Sequence, residues 1–261
     1  MSRRRADTLL AERGLAPSRA AAAQSVRAGQ VRLEPGGRRI GKPSELIPAD
    51  AELVLDAGPA YVSRGGLKLE NALKALPVAV AARRCLDVGA STGGFTDCLL
   101  RHGAASVTAL DVGYGQLDWK LRQDPRVVAI ERFNARRLRP DALPYPPDLV
   151  TVDVSFISLE MLFGPLVACA AAKLDLLALV KPQFELGPER VGRGGVVRDA
   201  ADRRDALRAV ATAAGEGGLA VRGFASSGLP GPKGNRETFI WCDRGGPALG
   251  DLEGAIREVE P

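Results

Sequence analysis

Apolar positions along the chain follow two regimes. Up to about residue 56 they are sparse and set among arginines; from Arg84 onward, short apolar runs alternate with helical periodicities. In the second regime Cys85, Leu86 and Val88 lead into Gly89, Gly93 and Gly94. Phe95, Cys98 and Leu99 follow at i, i+3, i+4, and Gly103 is a stop. That pattern predicts strand, tight loop, helix. Further strands are expected over 106–111, 126–130, 148–153, 174–180, 219–224 and 237–242. Helices are expected over 116–123, after Ser158 with Leu162, Leu166 and Val167 on one side, and over 202–215. The run at 174–180 is almost continuously apolar, as a strand buried on both faces must be, and Lys181-Pro182 ends it. Alternation of this kind predicts an α/β fold with a doubly wound, mostly parallel sheet and a ligand beyond the carboxyl ends of its strands. The last two strands have no helix between them, so they are expected to pair antiparallel at the sheet edge.

The first regime reads as a small α+β unit. A helix is expected over 5–13, stopped by Gly14, and a second over 19–28, with Ser18 as N-cap and Gly29 as stop. Segments 30–33, 38–40 and 52–55 alternate like strands around the turn Glu34-Pro35-Gly36-Gly37. So short a unit buries little, and it is expected to lean on a neighbour or a ligand. Gly58-Pro59 breaks the pattern. The expected division is therefore 1–58, a connecting piece with a helix over 59–83, and 84–261. In the connecting piece Leu69, Ala72, Leu73 and Leu76 mark a core-facing stripe. Lys68 sits beside that stripe near the helix start, where the helix dipole disfavours a cation; alone it reads as a snorkelling surface lysine.

Charge changes the picture of the first unit. The whole chain carries a net +5, yet residues 1–45 hold ten Lys or Arg against four acids, a local +6. Such a surface suits a polyanion. Aromatics are scarce there, so recognition by shape and phosphate is expected rather than base stacking. The four cysteines (Cys85, Cys98, Cys169, Cys242) are scattered and His102 is the only histidine. No zinc spacing and no histidine-based triad follow from these, and no metal is expected. Met1-Ser2-Arg3-Arg4-Arg5 is not followed by an apolar stretch, and the apolar region 162–180 contains Gly164, Pro165, Lys173 and Asp175. Neither an export signal nor a membrane span is expected, and a cytoplasmic location is.

The order Arg5, Asp7, Leu9, Leu10, Gly14, Leu15, Ser18, Arg19, Gly29, Val31, Gly37, Lys42, Pro43, Ser44, Asp50 resembles the S4 RNA-binding domain. The resemblance implies RNA as partner, with Arg4, Arg5, Arg19, Arg27 and Lys42 as candidate contacts. In the second regime Gly89 to Gly94 reads G-x-x-x-G-G, which departs from the nicotinamide fingerprint G-x-G-x-x-G and fits better the first motif of S-adenosylmethionine enzymes. Asp111 ends the second expected strand, where an acid can take ribose hydroxyls. Asp153, Lys181 and Glu237 fall at strand ends, and with Lys68 they give Lys–Asp–Lys–Glu in chain order. That order is similar to the FtsJ-type ribose 2′-O-methyltransferases.

The surrounding words are closer to the TlyA family: Ser63-Arg64-Gly65-Gly66 with Lys68-Leu69, the run from Asp87 to Thr96, Asp111 to Leu117, Asp153 to Leu159, Val180 to Glu185, and Gly234 to Glu237. Gly66 stands where a small non-glycine residue is frequent in that family. The resemblance implies a class I, Rossmann-like methyltransferase domain behind an S4 domain. It implies S-adenosylmethionine as cofactor, and cytidine 2′-oxygens of ribosomal RNA or ribosomal subunits (16S and/or 23S) as substrate. The main chain of Gly89, Ala90, Ser91, Thr92, Gly93, Gly94 and Phe95 would face the methionine part, Asp111 with Val112 the ribose, and Asn134 the adenine edge. Arg64, and Arg193 in the glycine-rich loop 187–199, would touch RNA, the loop acting as a lid. A base of lysine type needs a lowered pKa, which a second lysine or burial supplies. Lys181 is expected as that base and Lys68 as the group orienting the ribose, with Asp153 and Glu237 holding them; the opposite split stays open. Three rival readings are a catalytically silent rRNA binder, a haemolysin-type membrane-active protein, and a methyltransferase for a small molecule.

Overall fold

The computed structural model describes every residue except 1–2, 28–29, 57–60, 193 and 232, and the side chains of Gln24 and Arg27 also fall outside that description. The stop expected at Gly29, the break at Gly58-Pro59, and Arg193 lie outside the described residues, as does the Arg27 side chain. The chain divides into two compact units, Met1–Ala60 and Tyr61–Pro261.

In the first unit, β1 (Arg3–Arg5) runs into α1 (Ala6–Glu12), followed by α2 (Arg19–Arg27), β2 (Val31–Glu34), β3 (Arg38–Arg39), β4 (Leu46–Pro48) and β5 (Glu52–Leu55). Ser18 Oγ accepts a hydrogen bond from Ala21 N at 3.1 Å, the expected cap of α2. Strands β3, β2 and β5 form one antiparallel sheet. Strand β1 pairs antiparallel with β4, Arg4 opposite Ile47. Three consecutive arginines carry no apolar alternation, so β1 has no sequence signature. The unit holds a core of its own, in which Leu9 and Leu10 of α1 pack with Ala22, Val26, Val31, Ile40, Ile47 and Leu53.

The second unit begins with α3 (Arg64–Ala75) and β6 (Arg84–Val88), then α4 (Gly94–Arg101), β7 (Ser106–Leu110), α5 (Trp119–Arg122), β8 (Val127–Ile130) and β9 (Leu149–Val152). It continues with α6 (Glu160–Cys169), β10 (Asp175–Val180), α7 (Pro182–Glu185), α8 (Ala200–Glu216), β11 (Ala220–Ser226), β12 (Thr238–Asp243) and α9 (Leu252–Val259). Seven strands form one sheet in the order β11-β12-β10-β9-β6-β7-β8. All neighbouring pairs from β10 to β8 are parallel, while β12 is antiparallel to both β10 and β11. The expected antiparallel pair does lie at the sheet edge, with β11 outermost and β12 between it and β10. The uniform apolarity of the 174–180 run has its reason here, since Leu176 to Val180 are buried with strands on both sides.

Two apolar clusters cover the two faces of the sheet. One gathers α6 and α8 (Leu162, Phe163, Leu207, Val210) over Val150, Leu176 and Ile240. The other gathers α3 and α4 (Leu69, Ala72, Phe95, Leu99) over Val107, Leu177 and Phe239. Gly66 sits beneath the Tyr61 ring, where a Cβ would lie 2.3 Å from Tyr61 Cγ. A side chain at position 66 would need that ring to move. Among the described residues no helix is long and apolar enough to cross a membrane.

Candidate active site

The carboxyl ends of the parallel strands bring the candidate residues together. Asp111, Asp153 and Lys181 each lie one residue beyond β7, β9 and β10, and Glu237 one residue before β12. An antiparallel strand has its first residue at the edge where parallel strands have their last. Glu237 therefore comes to the same rim as Asp153 and Lys181.

At this rim the four candidate catalytic residues form two separate ion pairs. Lys68 Nζ donates to Glu237 Oε2, and both side chains are buried. Lys181 Nζ lies 2.6 Å from Asp153 Oδ1, off the hydrogen-bonding direction, and donates to Ser155 Oγ at 3.1 Å. Lys68 is thus no snorkelling surface residue: it points with Leu69 and Ala72 into the unit and is only 6% exposed.

Beside the pairs lies the glycine loop. Gly89 has φ +83°, and a Cβ there would stand 2.3 Å from Asp153 O, so only glycine lets the end of β6 pass this close to the end of β9. Gly89 N and Ala90 N donate to Leu110 O, and Asp153 N donates to Val88 O, which ties the three strand ends together. Asp111 receives Ser91 N on Oδ2 at 2.8 Å and Gly113 N on Oδ1 at 2.6 Å. Its carboxylate is fixed by main chain while each oxygen keeps a free lone pair. A cavity of about 610 Å³ opens here, lined by Gly89, Ser91, Asp111, Val112, Phe133, Asn134, Val154 and Phe156 among others. Asn134 Oδ1 accepts Arg136 N, which caps the turn that brings the residue to the cavity wall. A second cavity of about 320 Å³ shares Gly89, Ser91 and Asp153 with the first, and adds Arg64, Lys68, Ala90, Thr92, Gly94 and Phe95. Of the expected cofactor positions, Gly93 alone borders neither. It starts α4 with φ +96°, packed where a Cβ would strike Leu121.

Three neighbours had no role assigned from the sequence. Ser155 holds Lys181. Phe156 is 91% exposed with φ +64°, its ring 5.1 Å from that of Phe184. Glu185 accepts Ser158 Oγ at 2.7 Å and Leu159 N at 3.1 Å, joining the segment after Lys181 to the one after Asp153; burial pushes its carboxyl above the ordinary range. All three stand inside the family-like words, which was the available signal. Behind the loop, Asp87 is fully buried and accepts Thr96 Oγ1 at 2.7 Å and Thr151 Oγ1 at 3.2 Å. Burial raises its pKa to about 7 against the pull of those hydroxyls.

The described residues of the 187–199 loop are fastened at several points. Arg190 pairs with Asp202 and Asp205 of α8, Gly192 bridges Val196, and buried Asn235 accepts Val197 N and donates to Gly195 O. One cluster of metal-type donors occurs among the described residues, Glu70 with Cys98 and His102. The Glu70 carboxylate there already takes Tyr61 Oη, Lys74 and His102, which together lower its pKa to about 2.

In the first unit the buried Asp7 carboxylate gathers two candidate RNA contacts. Arg5 donates Nε at 3.0 Å and Nη2 at 2.7 Å, and Arg19 Nε lies 3.3 Å away; the pair holds Asp7 far below the usual carboxylate range. Arg4 pairs with Glu12, and Lys42 is exposed.

The FtsJ-like methyltransferase family model matches residues 61–244, and the S4 domain model matches residues 4–53. A Mycobacterium tuberculosis protein named 16S/23S rRNA (cytidine-2′-O)-methyltransferase TlyA is 51% identical over 266 residues, covering 99% of this chain and 98% of that protein. The chain belongs to the TlyA family of FtsJ-like methyltransferases. A solved structure from Streptococcus thermophilus that carries a hemolysin name is 40% identical, with a TM-score of 0.75, and covers 99% of this chain and 94% of that one. An S-adenosylmethionine dependent methyltransferase from Mesorhizobium loti is 15% identical, with a TM-score of 0.51, covering 70% of this chain and 100% of that one. At that identity the likeness shows the fold alone. Within the TlyA family, the two ion pairs and the glycine loop fall in the part matched by the FtsJ-like model, and the Asp7 arginines fall in the S4 match.

Proposed function

We propose that this protein transfers the methyl group of S-adenosylmethionine to the ribose 2′-oxygen of cytidines in 16S and 23S ribosomal RNA. The observation that carries the reading is the pair of buried lysine–carboxylate contacts at the rim that also holds the glycine loop and the main-chain-fixed Asp111. The donor set fits the cofactor. Asp111 offers two oriented oxygens to a ribose diol, Asn134 an amide to an adenine edge, and Gly89 a main chain without a side chain in the way.

S-adenosylmethionine supplies an electrophilic methyl carbon. The chain's own residues must orient the attacking hydroxyl and take its proton. Lys181, once the proton it carries beside Asp153 has passed to solvent, takes the 2′-hydroxyl proton. The ammonium so formed stands 2.6 Å from Asp153 Oδ1, so its charge is compensated where it appears. Ser155 keeps Nζ from rotating away. Lys68, held by Glu237 and bordering the smaller cavity with Asp153, donates to the ribose and sets its approach. Phe156 offers an exposed ring on which a base that has left its stack can rest. Arg5 and Arg19 on Asp7, with Arg4, Arg27, Lys42, Arg64 and Arg193, give phosphate contacts. Ribosomal RNA as substrate, and four buried free cysteines, fit a cytoplasmic protein.

The test is transfer of labelled methyl to purified 30S and 50S subunits and to naked rRNA, with wild type and Lys181→Ala, followed by digestion to nucleosides. Label in 2′-O-methylcytidine that disappears in the variant supports the reading. Label on a base would overturn the four-residue mechanism. No label on any RNA would leave a binding protein.

A further inference from the structure

From the end of β7 to the first residue of α5 the chain exposes three large apolar side chains within eight positions: Val112 (69%), Tyr114 (68%) and Trp119 (71%). Exposed apolar residues scattered singly need no explanation, but a group in a chain with only two tryptophans does. The segment that bears them is stitched in place. Arg132 N donates to Gly113 O at 2.9 Å, Phe133 N to Asp111 O at 3.0 Å, and Gly115 N to Glu131 Oε1 at 2.9 Å. On its other side Asp118 N donates to Thr92 O at 3.1 Å, and Ser91 Oγ to Gln116 Oε1 at 3.2 Å. Arg132 holds the left-handed region at φ +55°, a strained setting for a long side chain, and its guanidinium lies over the Tyr114 ring, 4.2 Å from the centroid. The rings are therefore presented by two loops locked to each other and to the glycine loop.

The acids around them are engaged, Asp118 in accepting Lys120 N and Glu131 in pairing with Arg122, while two cations are not. Lys120 and Arg136 are exposed and form no ion pair among the described residues, and Arg136 borders the large cavity together with Val112. Aromatic faces interleaved with cations are the means by which proteins hold unpaired nucleotides: bases stack on rings and phosphates meet cations. We infer that Tyr114 with Arg132, and Trp119, form a stacking platform on the catalytic unit for unpaired bases that flank the target nucleotide. The inference rests on the rRNA reading above. The expectation of recognition without base stacking concerned the aromatic-poor first unit alone.

The test uses the full chain with Trp241→Phe, which leaves Trp119 as the only tryptophan, and a short unstructured oligoribonucleotide. Stacking is expected to quench Trp119 fluorescence on titration. In parallel, Tyr114→Ala with Trp119→Ala is expected to raise KM for ribosomal subunits about tenfold, while kcat, S-adenosylmethionine affinity and Tm stay at wild-type values. Tyr114→Phe and Trp119→Phe, which keep a ring, are expected to keep KM. Absence of quenching, with KM of the alanine variant within about twofold of wild type, would overturn the platform. A wild-type protein that transfers no methyl to RNA would overturn the function instead, and the quenching titration would still decide the platform.

Discussion

The two units use cation–carboxylate pairs in opposite ways. In Met1–Ala60 the cationic partners stay in water: Arg5 and Arg19 side chains are 41% and 60% exposed although the acid they share is buried. In Tyr61–Pro261 the cations themselves are buried, Lys68 with Glu237 and Lys181 beside Asp153. An exposed cation attracts a polyanion over a distance and is screened by salt. A buried one is held in one geometry at a large desolvation cost that only its partner offsets. The first arrangement suits holding an RNA; the second suits handling one proton.

If that contrast is right, removing a buried cation should stop chemistry outright. Lys181→Ala is expected to lower methyl transfer by at least about 100-fold, with S-adenosylmethionine affinity unchanged, read by labelled transfer and calorimetric titration. Removing a buried partner should damage the fold as well. Glu237→Ala leaves the Lys68 charge alone in the interior and is expected to cost about 3–5 kcal/mol, seen as a lowered denaturation midpoint; Glu237→Gln should recover part of it.

A third consequence lies behind the site. The folded value of about 7 for Asp87 stands above the ordinary carboxylate range, so between roughly pH 4 and 7 the fold keeps a proton that the unfolded chain has released. Its contribution is fully present in acid and is lost as pH rises to about 7. Unfolding free energy should fall across this window by up to about 1.4 kcal/mol per pH unit, and Asp87→Asn should flatten the slope. The smallest effect belongs to the exposed side of the comparison. Asp7→Asn frees Arg5 and Arg19 without removing either cation. It is expected to weaken rRNA binding about threefold to tenfold in filter-binding measurements, with kcat unchanged at saturating RNA.

Period and punctuation made most of the sheet legible. The 174–180 run could be nothing but a central strand, and the strand-end positions of Asp153 and Lys181 follow from it and from the 148–153 run. What the pattern does not carry is pairing. Glu237 joins Lys68 across 169 positions, and nothing local in either segment records it. The burial of Lys68 was hidden for the same reason, since its position beside the apolar stripe suits a surface lysine equally well. Helix α9 went unseen because its eight residues follow a glycine-rich stretch and depend on a single cap, Asp251 Oδ1 accepting Gly254 N at 2.8 Å. Ser155 and Phe156 were missed because a serine and an exposed phenylalanine have no periodic signature; only the turn they occupy gives them a role.

The long separation of Lys68 from Glu237 matters for how the protein comes into being. During synthesis α3 emerges and can pack its apolar stripe while the counter-charge of Lys68 is still 169 residues from being made. Until β12 inserts between β10 and β11, a folding intermediate must either leave this lysine in water or bury it alone. This rim can close only once β12 has been made and inserted, so the first unit can be complete well before the second.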